Sequence, residues 1–205
     1  AAKALGRTKV RPAVAVLASA LDDNAGGVRV AALRSIGQVG THLRQKGEKA
    51  VDDAVAEKLK TALISRADTG DAGEQVVAAA TLLRLGDESR KEKLKEGLAA
   101  DDPEIRKLAV EESAADPATA KDALQTALQD KSFPVRFRAA RELADQGKKE
   151  GVAVLREGLD KGGADGLLAY GALKKLGEDA SPPSGLEKVL KTGKEPERLA
   201  VVEAT

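Results

Sequence analysis

The sequence predicts an all-α fold: a right-handed α-α superhelix, or α-solenoid, of about six stacked helical hairpins. Three observations carry this. A core of the form Val-Arg-x-x-Ala-x-x-x-Leu-Ala at Val135–Ala144 recurs as VRVAALRSIG at Val28–Gly37, VAAATLLRLG at Val77–Gly86, IRKLAVEESA at Ile105–Ala114 and LAYGALKKLG at Leu168–Gly177. Counting the opening stretch Ala1–Gly6 as the tail of another copy, the small residues that close the copies are Gly6, Gly37, Gly86, Ala114, Ala144 and Gly177, spaced by 31, 49, 28, 30 and 33 residues. A period near 30 is that of a helical-hairpin array. Finally, two Phe, one Tyr and no Trp in 205 residues leave too few bulky side chains to fill a deep core, so thin layers packed through small residues are expected.

The units follow in order as 1–8 (partial), 9–40, 41–88, 89–115, 116–147, 148–179 and 180–205, forming one array. In the first full unit, helix one is Pro12–Leu21, with Val14, Leu17, Ala18 and Leu21 on one face. Asp22-Asp23-Asn24 ends it, and Ala25-Gly26-Gly27 is read as the turn before helix two. The unit 41–88 departs from the rest, with an excess of about 19 residues over the period of its neighbours. Some are assigned to a long turn at Ser65–Gln75 and the others to Thr41–Ala54, which is read as surface decoration that folding does not need. Later first helices carry Ala120, Leu124, Ala127 and Leu128, then Val152, Leu155 and Leu159, then Leu186, Val189 and Leu190. All seven prolines fall at or beside expected helix starts, where the missing N–H does no harm, and Asp102-Pro103 and Asp116-Pro117 read as an N-cap followed by the first helical residue. No initiator Met opens the chain, so it is expected to be a piece of a longer one.

A turn Asp followed by Val-Arg-x-x-Ala-x-x-x-Leu-Gly resembles the HEAT-like repeat in its short form, as in phycobilisome-lyase-type proteins, and the resemblance covers essentially the whole chain. It implies that second helices line a concave face. It further implies that the turn Asp and helix-two Arg pair between layers, at Asp23 with Arg29, Asp102 with Arg106 and Asp130 with Arg136. Ala78 and Ala169 stand where Arg is expected, so this ladder should be interrupted there.

Aligning the copies separates core from surface. Counting back from the residue just before the close of each copy (Ile36, Leu85, Ser113, Leu143 and Leu176), four positions before come Ala32, Thr81, Ala109, Ala139 and Ala172, small residues where helices approach closely, and eight before come Val28, Val77, Ile105, Val135 and Leu168, read as core. The columns two and six before share one helical face. They place Lys107 with Glu111, Phe137 with Arg141 and Tyr170 with Lys174. Lys107, Phe137, Arg141, Tyr170 and Lys174 are therefore the candidate partner-binding residues, because aromatics and Arg are enriched at interfaces and cations suit an acidic partner.

Catalytic chemistry finds little support. His42 is the only histidine and there is no Cys, which excludes two-histidine and Cys/His metal motifs as well as disulfides, and is compatible with the cytoplasm. Asp68-Thr-Gly-Asp71-Ala-Gly-Glu74 lacks the carboxylate spacing of a Ca²⁺ loop. The adjacent pairs Asp52-Asp53 and Glu111-Glu112 point to different helix faces and are read as solubilising. No cofactor is expected. The 34 basic and 33 acidic residues nearly cancel, which argues against a nucleic-acid binder, and no stretch has the roughly 18 apolar residues of a membrane span. The leading expectation is a non-enzymatic scaffold or adaptor holding an acidic protein or peptide along its concave face. A bilin-lyase-type enzyme or accessory factor and a DNA-contacting HEAT-like protein are the alternatives that the resemblance adds.

Overall fold

The computed structural model describes residues 1–49, 53–115 and 117–183. Among them all regular structure is helical: α1 Ala2–Thr8, α2 Arg11–Ser19 with a 3-10 turn Ala20–Asp22, α3 Gly26–Gln45, α4 Asp53–Thr69, α5 Ala72–Leu85, α6 Lys91–Leu98, α7 Pro103–Ala114, α8 Pro117–Ala127, α9 Phe133–Asp145, α10 Val152–Lys161 and α11 Gly163–Lys175. Asp52, Asp116 and the last expected hairpin with Leu186, Val189, Leu190 and Pro196 lie outside the described residues. The chain divides into two compact units, Ala1–Ala118 and Thr119–Thr205.

In the first unit, α2 packs on α3, α4 on α5 and α6 on α7, while the second helices form a row in which α1 packs on α3, α3 on α5 and α5 on α7. Each hairpin thus buries its apolar face against its neighbours, the arrangement of an α-solenoid. The fully buried side chains are the periodic leucines and isoleucine, among them Leu17, Leu21, Leu33, Ile36, Leu63 and Leu82. The small column lies where second helices meet: Ala32, Thr81 and Ala109 are wholly buried. Thr81 Oγ1 lies 3.0 Å from Leu33 O, so the one hydroxyl in that column links α5 to α3. In the second unit α9 and α11 pack on each other and on α10, around Phe137, Ala140, Leu155, Ala169 and Leu173.

The turns are closed by arginine. Arg29 Nη1 donates to the main-chain oxygens of Asp23 (2.8 Å) and Asn24 (3.1 Å). Arg106 Nη1 donates likewise to Ala100 O (2.7 Å) and Asp101 O (2.8 Å), and Arg136 Nη1 to Asp130 O (2.9 Å) and Lys131 O (3.3 Å). The aspartates work on the other side of the turn: Asp23 Oδ1 accepts from Ala25 N, Asp102 Oδ1 from Glu104 N and Asp130 Oδ1 from Ser132 N. The expected side-chain pairing therefore takes another form at Asp23 and Arg29, since Asp23 offers its carbonyl and Arg29 pairs across layers with Glu74, its Nε 2.7 Å from Oε1. Arg136 pairs in the same way with Glu157, at 3.0 Å. Where Arg is missing, the turn differs. Gln75 Nε2 takes over by donating to Gly70 O at 2.9 Å ahead of Ala78, and ahead of Ala169 the turn shrinks to Gly162 and Gly163, both at positive φ.

Two sequence expectations need correction. Gly26 and Gly27 begin α3 instead of forming the turn. Gly6 and Gly37, which close two copies, lie inside α1 and α3: a Cβ on Gly6 would meet Ser35 Cβ at 2.7 Å, and one on Gly37 would meet Arg84 Cδ at 3.1 Å, so both glycines permit close helix approach. Gly86, at φ 93°, does end its helix. Val28, expected in the core, is 38% exposed.

Of the extra residues of unit 41–88, 41–45 extend α3, and the long turn expected at Ser65–Gln75 is reduced to Gly70 and Asp71 between α4 and α5. α3 runs on to Gln45 and α4 to Thr69, where Asp71 caps α5 by accepting from Glu74 N at 2.9 Å. The extension of α3 buries Leu43, and Arg44 Nη1 donates to Leu83 O and Arg84 O at the end of α5. Deletion of 41–49 is accordingly expected to cost about 2–5 kcal/mol, as the loss of a buried leucine does; chemical denaturation of the shortened chain measures it. Ala139→Phe, in the fully buried small column of α9, is expected to overpack the layer and cost about 1–3 kcal/mol, read in the same denaturation experiment.

Candidate functional site

The candidate partner residues fall on α7, α9 and α11, and the structure sorts them. Phe137 is 5% exposed and belongs to the core, which corrects the expectation of an exposed aromatic. Its ring occupies the space left by Gly158 on α10, where a Cβ would come within 2.5 Å of Phe137 Cε2. It stacks on Phe133, centroid to centroid 5.3 Å, and Lys161 Nζ sits 4.5 Å above the Phe133 ring. A position that looks equivalent to Tyr170 in the alignment is thus turned inward by a glycine on the neighbouring helix. Lys107, in the first unit, is half-buried and forms an ion pair with Glu104 one turn away on α7.

Arg141, Tyr170 and Lys174 remain toward solvent: Arg141 and Tyr170 are half-buried and Lys174 is exposed. None of the three has a hydrogen-bond or ion-pair partner among the described residues. Burial pushes the Arg141 guanidinium below its ordinary value and nearby Arg138 adds to this, while Asp145, Glu142 and Asp165 act in the opposite sense. Of these three carboxylates, Asp145 and Glu142 are engaged elsewhere, while Asp165 acts on Arg141 through its charge. Asp145 binds Lys175 at 2.7 Å, Glu142 binds Arg138 at 2.8 Å, and Glu178 binds both Lys149 at 2.9 Å and Arg156 at 3.2 Å. The residual charge carried by α9 and α11 at these positions is positive.

The acidic residues singled out in the sequence are structural. Glu112, 3% exposed on α7, accepts from Arg34 Nε of α3 at 2.7 Å and from Arg84 Nη1 of α5 at 2.8 Å, tying three successive second helices together. A solubilising role is therefore corrected for Glu112. Glu74, 1% exposed, is clasped by Arg29, and Asp68 pairs with Arg90 at 2.6 Å, which consumes the carboxylates of the Ca²⁺-loop-like stretch. Among the described residues no group of His, Asp and Glu could hold a metal ion. No helix there is long and apolar enough to cross a membrane. His42 is half-buried in the extension of α3.

Sequence reasoning missed a groove of about 620 Å³ in the first unit, lined by Arg44, Leu59, Lys60, Leu63, Leu82 and Asp87, among others. The signal was the unit's extra length, which becomes a wall when α3 and α4 lengthen. At its rim Lys60 Nζ lies 2.8 Å from Asp87 Oδ2. Hydrogen bonds from Lys60 and then Ser89 lower the Asp87 carboxyl from 3.8 to about 2.

Residues 92–167 match the family model for HEAT repeats, a span that contains α6 to α10 with Arg106, Arg136 and Arg141. The match is to HEAT repeats in general and not to the phycobilisome-lyase type. No curated protein matches the chain.

Because Asp87 is depressed in the folded state, its stabilisation is present above the unfolded value near 3.8 and is lost as pH falls through about 2. Asp87→Asn is expected to melt below the parent at pH 6 and to converge with it as the pH approaches 2. Melting curves across that range test this.

Proposed function

Because the chain is a HEAT-like repeat protein, and HEAT repeats commonly act as protein-interaction scaffolds, we propose that it is a non-enzymatic scaffold or adaptor. On this reading it holds another protein or peptide along the face that carries Arg141, Tyr170 and Lys174. The observation that supports this most directly is the lack of hydrogen-bond or ion-pair partners for those three positions among the described residues, where most other charged side chains of α9 to α11 are paired. A surface that exists only for solubility has no need of a half-buried tyrosine and a half-buried arginine on two helices that pack together. Aromatic and Arg side chains that lose water on contact are those that carry binding energy at interfaces.

The test is to recover a partner from native cells with the full chain and titrate it against Tyr170→Ala and Lys174→Glu at two salt concentrations. Tyr170→Ala is expected to weaken binding by about 1–3 kcal/mol, roughly 5- to 150-fold. Lys174→Glu should weaken it more at low salt than at high, since an exposed charge is screened. Binding unchanged in both folded variants would remove this face from the function.

A further inference from the structure

Three arginines lie on α9, and the fold treats them differently. Arg136 is satisfied by two turn carbonyls and by Glu157, and Arg138 is paired with Glu142. Arg141 is half-buried and has no hydrogen-bond or ion-pair partner among the described residues. A guanidinium cannot shed its proton to escape burial, so the hydration it loses is offset in the free protein only in part, by neighbouring carboxylate charge. Asp145, Glu142 and Asp165 ease this loss only through their charge, and the first two are already bound to Lys175 and Arg138. A charged group kept at a cost to stability, at the surface and without an internal role, marks a place where something binds.

Resting on the scaffold reading above, we propose that Arg141 is the anchor for a side-chain carboxylate of an acidic segment in the partner protein, with Tyr170 and Lys174 flanking it on the adjacent helix α11. The guanidinium fork matches a carboxylate in two parallel hydrogen bonds. Tyr170 offers a hydroxyl without a partner and an aromatic face, and Lys174 adds an exposed ammonium one turn further along α11. The register sets the match: 137 and 141 on α9 correspond to 170 and 174 on α11, and these two helices pack side by side. Phe137 has turned inward, so Arg141 alone represents its layer on this face. Two free cations and one phenol suit one or two carboxylates. They do not suit a phosphate backbone, whose binding requires many cations, and the chain's net charge is only +1.

The experiment uses the full chain and two fluorescent decapeptides, one rich in Glu and its Gln counterpart, with Arg141→Gln and Arg141→Lys as variants. The parent should bind the Glu peptide at least about tenfold tighter than the Gln peptide, as a charge-assisted bidentate pair implies. Arg141→Gln should abolish that preference, and Arg141→Lys should keep part of it while losing the fork. Thermal melting without peptide separates anchor from structural residue: the melting temperature of Arg141→Gln should equal or exceed the parent's. An unfolded or strongly destabilised Arg141→Gln overturns the proposal, because the arginine is then structural. A Glu preference that survives in Arg141→Gln overturns it too, as does a DNA oligomer outcompeting the Glu peptide at the same salt. If the native partner loses affinity for Tyr170→Ala but not for Arg141→Gln, only the anchor falls; if neither matters, the scaffold face falls with it.

Discussion

The interhelical turns of this array expose main-chain carbonyls at the point where two helices must meet at a fixed distance, and an arginine six residues on reaches back to bind them. In three hairpins one Nη1 spans two successive carbonyls, while an aspartate in the same turn accepts from an amide N–H. Buried carbonyls without a donor are costly, and this pair of devices satisfies acceptor and donor together. The same guanidinium then extends to a glutamate on another helix, at Glu74 and Glu157, so closing the turn and fixing neighbouring helices are one interaction. Lysine, with a single ammonium and no fork, could not do both.

Once the turns are rigid, the approach of the second helices is set by what stands between them. Ala32, Thr81, Ala109 and Ala139 are fully buried and small, and Gly6, Gly37 and Gly158 go further by leaving room for Ser35, Arg84 and Phe137. Ion pairs then lock the stack, most firmly at Glu112, which two arginines from two other helices hold almost out of water. Replacing one partner of such a clasp leaves a buried charge alone, which is why these networks specify register as much as they stabilise it.

Against that background the face of α9 and α11 is an exception. Most charges elsewhere on these helices are matched, so a half-buried guanidinium without a partner is a local departure from the rule the rest of the molecule obeys. Departures of this kind are where function is expected, since stability alone would have paired or removed them. The groove between α3, α4 and α5 is a second departure in geometry, created by two helices longer than the repeat requires.

Period and composition determined the architecture: the recurring Val-Arg-x-x-Ala-x-x-x-Leu core fixed which residues are helical, Pro12, Pro103, Pro117 and Pro134 marked helix starts, and the small column marked where helices touch. Those features were legible because they depend on spacing along one helix, which local chemistry sets. Tertiary structure decided everything that depends on the neighbour across the layer. Phe137 and Tyr170 share a column, yet Phe137 is buried because Gly158 leaves a hole for it on α10. Gly37 reads only as the close of a repeat copy, and packing makes it a contact point for Arg84 and Thr81. Residues 65–75 read as a long turn and are helical but for Gly70 and Asp71, while 41–45 extend α3, because Leu43 finds a core to enter and Arg44 finds the carbonyls of α5. Pairing partners follow the same logic. A sequence shows that Arg29 is an arginine, but only packing brings Glu74, 45 residues away, within 2.7 Å of it.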